Sequence, residues 1–513
     1  MKFAAAALAL ALAAPARAAT VKLFGFDAQG RALDLPALLA RLGRADDKLP
    51  RDPDKAAIWA FPIDGQAPPT RVKLAQAGKL LTAAWTGGPA ALHLVWPVRE
   101  DGYSAAIADN GGHGFDDGAA VFLEEELAMT EYRLLKESLQ KKSEDGRAPY
   151  APSAKARELV DAAKAAIAEA AKRREAPARA AAFAVALRAV AVARETSLYE
   201  RGRLRLRERA FAKDARFGLT LDDGLLKRLG DVDWIADSIS HSGTNWVRLV
   251  FAPNPRDFSY GAAASFNEYD SVVKALKKRR LKILGGVLDT AQWPRTLTPE
   301  IYAARVKNLA ARYAGEVDAW EVGSELNGDW LGGARAPLAS DQVFAVFSAG
   351  AAAARAADPK AELVATLYSW EETAPDRAHS LSGWLAAYAP KGFGRDVDLV
   401  GLDVFPEDNP AGLGLERAFD SLAAALPETR VFLSAFGYVE EDKLKGYWWL
   451  TPDDVDGARK DLILLYTAGS CAMTRSVCGG FWWQTLDQML PPGRQKAADL
   501  FKIHVHALHE LGR

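Results

Sequence analysis

The 513-residue chain has only two cysteines, Cys471 and Cys478, seven histidines and a formal net charge of −1. Each scarcity excludes something. Two cysteines cannot staple a chain of this length, so its cores must come from apolar burial. No histidine lies between or beside the cysteines at ligand spacing, and no metal-ligand histidine spacing occurs elsewhere, so no metal site is expected. The balanced charge gives no reason to expect nucleic acid or an anionic membrane as partner. Beyond the N-terminus no run approaches about 18 uninterrupted apolar residues, so no membrane span is expected. No G-x-G-x-x-G and no phosphate-cradling loop closed by Lys-Ser/Thr appears, so no cofactor is implied.

What is present reads as ordinary soluble protein, 49% hydrophobic and 26% charged, and long enough for two or three domains. Residues 1–18 have the pattern of a signal peptide: Lys2, an apolar stretch from Phe3 to Ala14, and a small-residue cleavage site at Ala16-Arg17-Ala18. The mature protein is therefore expected to be exported, to the periplasm or the medium. An oxidising destination makes a Cys471–Cys478 disulfide the natural reading, contributing roughly 2–3 kcal/mol, with two buried thiols as the alternative.

Three textures follow. Residues 19–118 alternate in short runs such as Val21–Phe26, Arg71–Leu74 and Leu92–Trp96, punctuated by Gly and Pro, which suggests a small β-rich, sandwich-like domain. Asp109 to Gly114 within it reads as a turn rather than a metal or phosphate loop. Residues 119–212 form a helical segment rich in Ala, Leu, Glu, Lys and Arg, with apolar spacing of three and four over Val121–Leu139 and Ala154–Ala171. A break is expected over 146–152 and a helix start at Pro177; the arginine-rich stretch from Leu198 to Arg209 reads as a solvated or interdomain helix face. Residues 213–513 repeat strand and helix eight times, the strand-like runs beginning at Phe217, Trp246, Leu281, Val317, Leu363, Val397, Arg430 and Gly480. That is the pattern of a (β/α)8 barrel, and an open doubly wound sheet fits it less well.

Barrel chemistry sits at the C-terminal ends of the strands. The groups offered there include Asp222, Asp223, Asn254, Asp289, Trp293, Ser324, Glu325, Asn327 and Trp330 in the first half. The second half adds Tyr368, Trp370, Glu371, Asp403, Phe405, Glu407, Tyr438, Trp482, Trp483, Gln484 and Asp487. Carboxylates mixed with indoles suit a sugar: acids act on the glycosidic oxygen, and indole faces stack on a pyranose. Eleven of the 14 tryptophans follow residue 213, but Trp246 and Trp320 read as core.

From about Ala215 onward the sequence resembles the clan A glycoside hydrolases, retaining barrel enzymes. Their W-E-x-x-N-E-x-N motif at the fourth strand is matched by Trp320-Glu321-Val322-Gly323-Ser324-Glu325-Leu326-Asn327, with Ser324 in place of the asparagine. The resemblance implies Glu325 as general acid, Arg248 as the supporting second-strand arginine, and Trp482 or Trp483 as the eighth-strand aromatic. Ser324, Asn327, Trp330 and Trp370 join these as candidate substrate contacts. The seventh strand departs: Ser434-Ala435-Phe436-Gly437 has Ala435 where the family places its nucleophilic glutamate. Asp403-Val404-Phe405 on the sixth keeps a ring but loses the hydroxyl that orients that nucleophile.

Three functions are compatible with this pattern. One is a poly- or oligosaccharide hydrolase with Glu325 as acid and a non-standard second carboxylate, Asp403 first, with Glu371, Glu440 or Asp487 behind it; carboxylates about 6.5–9.5 Å apart would imply inversion. The second is a glycan-binding pseudoenzyme, and the third a structural or assembly protein working through its helical segment. With no anion at Ala435, the acid's pKa is expected to be lower than usual for its role, and any pH optimum shifted down.

Overall fold

The computed structural model describes residues 18–42, 54, 56–65, 68–98, 102–140, 150–208, 213–222, 224, 226–227, 230–253, 265–333, 335–406, 409–437, 455–483 and 495–512. Residues 1–17 of the expected leader lie outside the described residues.

The N-terminal part contains β1 (Ala18–Phe24), β2 (Ile58–Pro62), β3 (Thr70–Arg71), β4 (Lys73–Ala77), β5 (Leu80–Thr86), β6 (Ala90–Pro97), β7 (Tyr103–Ala108) and β8 (Ala120–Phe122), with helix α1 (Leu35–Leu42) between the first two. They form two four-stranded sheets, ordered β4-β5-β1-β8 and β3-β2-β6-β7. β1 alternates exposed and buried residues, as a half-buried strand should, and its inward Val21 and Leu23 share one apolar core with Ile58, Leu92 and Leu94 of the other sheet. The Asp109 carboxylate is engaged by the Gly112 N–H, the Thr130 hydroxyl and Arg133, which makes the Asp109–Gly114 stretch a tied turn.

Three long helices follow: α2 (Leu123–Gln140), α3 (Ala154–Ala171) and α4 (Ala176–Arg207). Ser153 caps α3 by accepting the Ala156 N–H, and α4 opens with proline in its first turn. By length and composition α4 could cross a bilayer. Here it packs against α2, α3 and the barrel helix Val455–Cys471. Buried ion pairs fix that packing. Glu131 of α2 is fully buried and accepts the Ile107 N–H of β7, Arg194 of α4 and Arg417 of the barrel. Glu416 takes Arg201, Arg194 and the Ser138 hydroxyl. Arg194 and Arg201 of α4 thus bridge to the barrel.

The remaining strands are β9 (Arg216–Leu221), β10 (Trp246–Val250), β11 (Lys282–Gly286), β12 (Ala319–Gly323), β13 (Glu362–Tyr368), β14 (Leu399–Val404), β15 (Arg430–Phe436) and β16 (Gly479–Trp482). All are parallel neighbours, and β16 pairs with β9 to close the barrel. Strands enclosed on both faces are buried throughout, which is why β9, β10 and β14 show no alternation in burial and are apolar apart from Arg216, Thr220, Arg248 and Asp403. Trp246, Leu284, Ala319, Val364, Leu399, Phe432, Val477 and Phe481 fill the interior upstream of the strand ends. Arg216 lies over the Trp246 ring, 4.4 Å from its centroid, and bridges to Glu362. At the other end, Arg305 from the helix Pro299–Arg312 is fully buried and donates to the carbonyls of Val287 and Phe251, holding the ends of β10 and β11. Cys471 and Cys478 are joined as a disulfide at the entry to β16.

Candidate active site

The fourth strand ends in an unusual turn. The β12–β13 register shifts between Glu321 and Gly323, and Glu325 follows with φ of 47°. A left-handed residue other than glycine costs roughly 1–2 kcal/mol, so something must hold it there. β13 does: the Glu325 N–H donates to the Thr366 hydroxyl (2.8 Å) and the Leu326 N–H to the Thr366 carbonyl (3.0 Å). Asn327 completes the brace, its amide NH2 donating to the carbonyls of Tyr368 and His379 and its oxygen accepting the Tyr368 N–H. The Glu325 side chain is left half-buried at the barrel mouth.

Arg248 of β10 lies beneath it, 1% exposed. Its Nε donates to Glu321 Oε2 at 2.6 Å, one terminal nitrogen donates to the Ser324 hydroxyl at 3.3 Å, and the guanidinium sits 4.6 Å from the Trp483 ring centroid. Burial opposes the charge on Arg248, but Glu321, Asp289 and Asp403 outweigh it and keep the group protonated. Glu321 is itself raised above the usual carboxylate range by burial, with Arg248 pulling the other way.

Asp403 completes the charged cluster. The β14–β15 register shifts between Leu402 and Asp403, after which Asp403 pairs with Ala435. The carboxylate of the sixth strand is therefore beside the position that the seventh leaves empty of charge. Ser434 donates to Asp403 Oδ1 and Thr366 to Oδ2 (3.3 Å). Burial, then Glu321, push Asp403 up to about 7, while Ser434, Arg248 and Thr366 favour its anion. Glu325 is raised well above the ordinary glutamate range by burial, then by Asp403 and Asp289. This runs against the low acid pKa expected from the loss of charge at Ala435: burial raises Glu325 first, and Asp403 and Asp289 add negative charge nearby. Both members of the pair are thus held above the ordinary carboxylate range, and the charge of Asp403 raises Glu325.

Aromatic rings wall the cluster. Trp330, Tyr368 and Trp370 meet edge to face with centroids 4.9–5.6 Å apart, and Phe405 continues the arc from Tyr368 (6.1 Å) to Trp483 (6.5 Å). Of the sequence candidates, Glu325, Asp403, Arg248, Ser324, Trp330, Trp370 and Trp483 come together. Trp482 is 2% exposed and packs on Phe436, so Trp483 is the eighth-strand ring at the cluster. Asn327 is buried against backbone. Glu371 lies behind the aromatic wall, bonded to Ser382 and pushed up to about 8 by burial. Asp223, Asn254, Glu407, Tyr438, Glu440, Gln484 and Asp487 lie outside the described residues. Sequence reading passed over Glu321, Thr366 and Ser434. Glu321 and Ser434 each stand within a motif already singled out, and their acid and hydroxyl were the available signal. Among the described residues no group of three or more His, Cys, Asp or Glu is placed to hold a metal ion.

No family model matches the chain, and no curated protein matches it. Among solved structures it is similar to xylanase 10B from Thermotoga petrophila RKU-1 in complex with xylobiose, at 14% identity and a TM-score of 0.41, over 60% of this chain and 97% of that one. It is similar also to a thermostable mutant of xylanase Xyn10A from Cellvibrio japonicus, at 16% identity and TM-score 0.42, over 59% of this chain and 100% of that one. A third is the Ignisphaera aggregans GH53 catalytic domain, at 16% identity and TM-score 0.39, over 55% of this chain and 87% of that one. The barrel expected from the clan A resemblance is present by its own topology.

Proposed function

We propose that the protein hydrolyses a poly- or oligosaccharide with Glu325 as proton donor and Asp403 as base. The observation that carries this is the carboxyl pair at the ends of β12 and β14, gathered with Arg248 behind a wall of aromatic rings and with both members raised by burial. Glu325 gives its proton to the glycosidic oxygen as the bond from that oxygen to the anomeric carbon breaks. Asp403 takes a proton from a water whose oxygen attacks the same carbon from the opposite face, so the product anomer is inverted. Arg248, held by Glu321, steadies the negative charge as it moves between the two carboxyls. Trp330, Trp370 and Trp483 offer rings to the sugar.

Ala435 favours one other reading. With the family's nucleophile position empty and Asp403 buried, a glycan-binding protein without turnover would keep the same cleft. Overnight incubation of the mature protein with polysaccharides and activated aryl glycosides decides between them. Turnover is expected for the natural sequence, with Glu325→Gln and Asp403→Asn each slower by about 10³-fold or more. Undiminished glycan binding with no turnover in any of the three would overturn the hydrolase reading. The leader and the disulfide support export, and mature protein recovered from outside the cytoplasm should begin near Ala19.

A further inference from the structure

Between β13 and the helix Leu381–Tyr388 the chain carries Trp370 into the aromatic wall and then crosses to the N-terminal sheet. Its inner side is tied to the barrel: the Leu381 N–H donates to the Trp370 carbonyl (2.6 Å), Asn409 donates to the Ser369 carbonyl (2.6 Å), and Asn327 holds the His379 carbonyl. Its outer side is tied to β2 and β3. Trp59 Nε1 donates to the Glu372 carbonyl (3.2 Å). Arg71 donates through one terminal nitrogen to the carbonyls of Ala374 (2.5 Å) and Pro375 (3.1 Å). Arg71 is itself fixed, since its other terminal nitrogen donates to the Ala56 carbonyl and its guanidinium lies 4.5 Å from the Trp59 ring centroid.

These are long-range hydrogen bonds to main-chain carbonyls, so they set backbone position, and the Asp376 carboxylate on the same segment adds attraction of opposite charge to Arg71. A cavity of about 60 Å3 remains under the segment, lined by Phe61, His93, Glu371, Glu372 and Arg417 among others. With a void on that side, packing beneath Glu371 and Glu372 is incomplete and leaves the height of the segment's outer edge to be constrained by hydrogen bonds. The donors on β2 and β3 supply that constraint.

We infer that Trp59 and Arg71 are positioning residues of the active site: through the backbone of residues 372–375 the N-terminal β-region fixes the ring of Trp370. The role of that ring toward sugar rests on the hydrolase reading above; the mechanical coupling does not. Arg71→Ala, Arg71→Lys and Trp59→Phe in the full chain test it, with Arg31→Ala as a control, since the Arg31–Asp27 pair is exposed and local.

Hydrogen exchange read by mass spectrometry should show peptides spanning 370–380 exchanging about 10-fold faster in Arg71→Ala and Trp59→Phe, with peptides from β9 to β12 unchanged. Arg71→Lys, which retains a donor, should recover most of the protection. On the soluble oligosaccharide that the natural protein cleaves fastest, KM should rise about 10-fold in Arg71→Ala while kcat and both limbs of its pH profile stay put. Unchanged exchange over 370–380, or a fall in kcat at constant KM, would overturn the inference. Should no substrate be cleaved at all, the hydrolase reading falls and the exchange measurement still decides the coupling.

Discussion

At Asp403, burial and the neighbouring Glu321 work against ionisation, while Ser434, Arg248 and Thr366 work for it. Removing one hydroxyl therefore has a signed consequence. Ser434→Ala takes away a hydrogen bond that favours the anion, so the carboxyl pKa rises. If Asp403 is the base, activity climbs with pH as it ionises, and the acidic limb of the kcat/KM profile in Ser434→Ala should move up by about one pH unit. A limb that stays put or moves down would remove Asp403 from the role. Gly401 permits the contact: a Cβ there would stand 2.2 Å from Ser434 Oγ. Gly401→Ala must displace Ser434, and the same upward shift is expected together with a lower melting temperature. If both roles hold, Glu325 must stay protonated while Asp403 is ionised, and the optimum is expected near neutrality rather than shifted down.

Among elements, the eight barrel strands were legible because enclosure on both faces makes them continuous apolar runs separated by amphipathic helices. The turn after β12 was legible too, as a cluster of acid, serine and asparagine closing such a run. Pairing across strands was not. That Asp403 faces Ala435 depends on a register shift in β14–β15, and that Arg248 takes Glu321 depends on two strands 73 residues apart. Neither leaves a local trace. The choice between Trp482 and Trp483 needed the strand's phase, because neighbouring residues point to opposite faces. Asn327 reads from sequence as a sugar contact, whereas its geometry is that of a brace for the left-handed Glu325. Asn327→Ala removes one acceptor and two donors from buried carbonyl and amide partners. It should destabilise the protein by about 1–3 kcal/mol, read as a lowered denaturant midpoint.

Across the whole molecule the same buried groups make stability depend on pH. Glu371, held up to about 8, and Asp403, held up to about 7, bind protons more tightly folded than unfolded. Their contribution is complete below the unfolded carboxylate pKa and is lost as pH rises through those folded values. His504, depressed to about 4 by burial, works in the other direction, its contribution present above the unfolded histidine pKa and lost as pH falls through about 4. Melting temperature should therefore decline from roughly pH 5 to pH 8, and Glu371→Gln, which cannot ionise, should flatten that decline in a calorimetric series. Cutting the ion-pair centre at Glu131 should be severe. It takes from Arg194 and Arg417 the negative charge they share and leaves Arg194 only the longer contact to Glu416 (3.6 Å), so Glu131→Gln should cost about 3 kcal/mol by denaturant titration.

The central claim, a Glu325 acid acting with an Asp403 base across a site where Ala435 leaves the seventh barrel strand without a carboxylate, is tested most directly by the anomer first released. Proton NMR begun within seconds of mixing the natural protein with its fastest-cleaved glycoside distinguishes the two stereochemical courses. The account predicts that the inverted anomer appears first and then mutarotates to equilibrium. Release of the retained anomer would contradict it, because retention proceeds through a covalent glycosyl-enzyme and would make the second carboxylate a nucleophile rather than a base toward water.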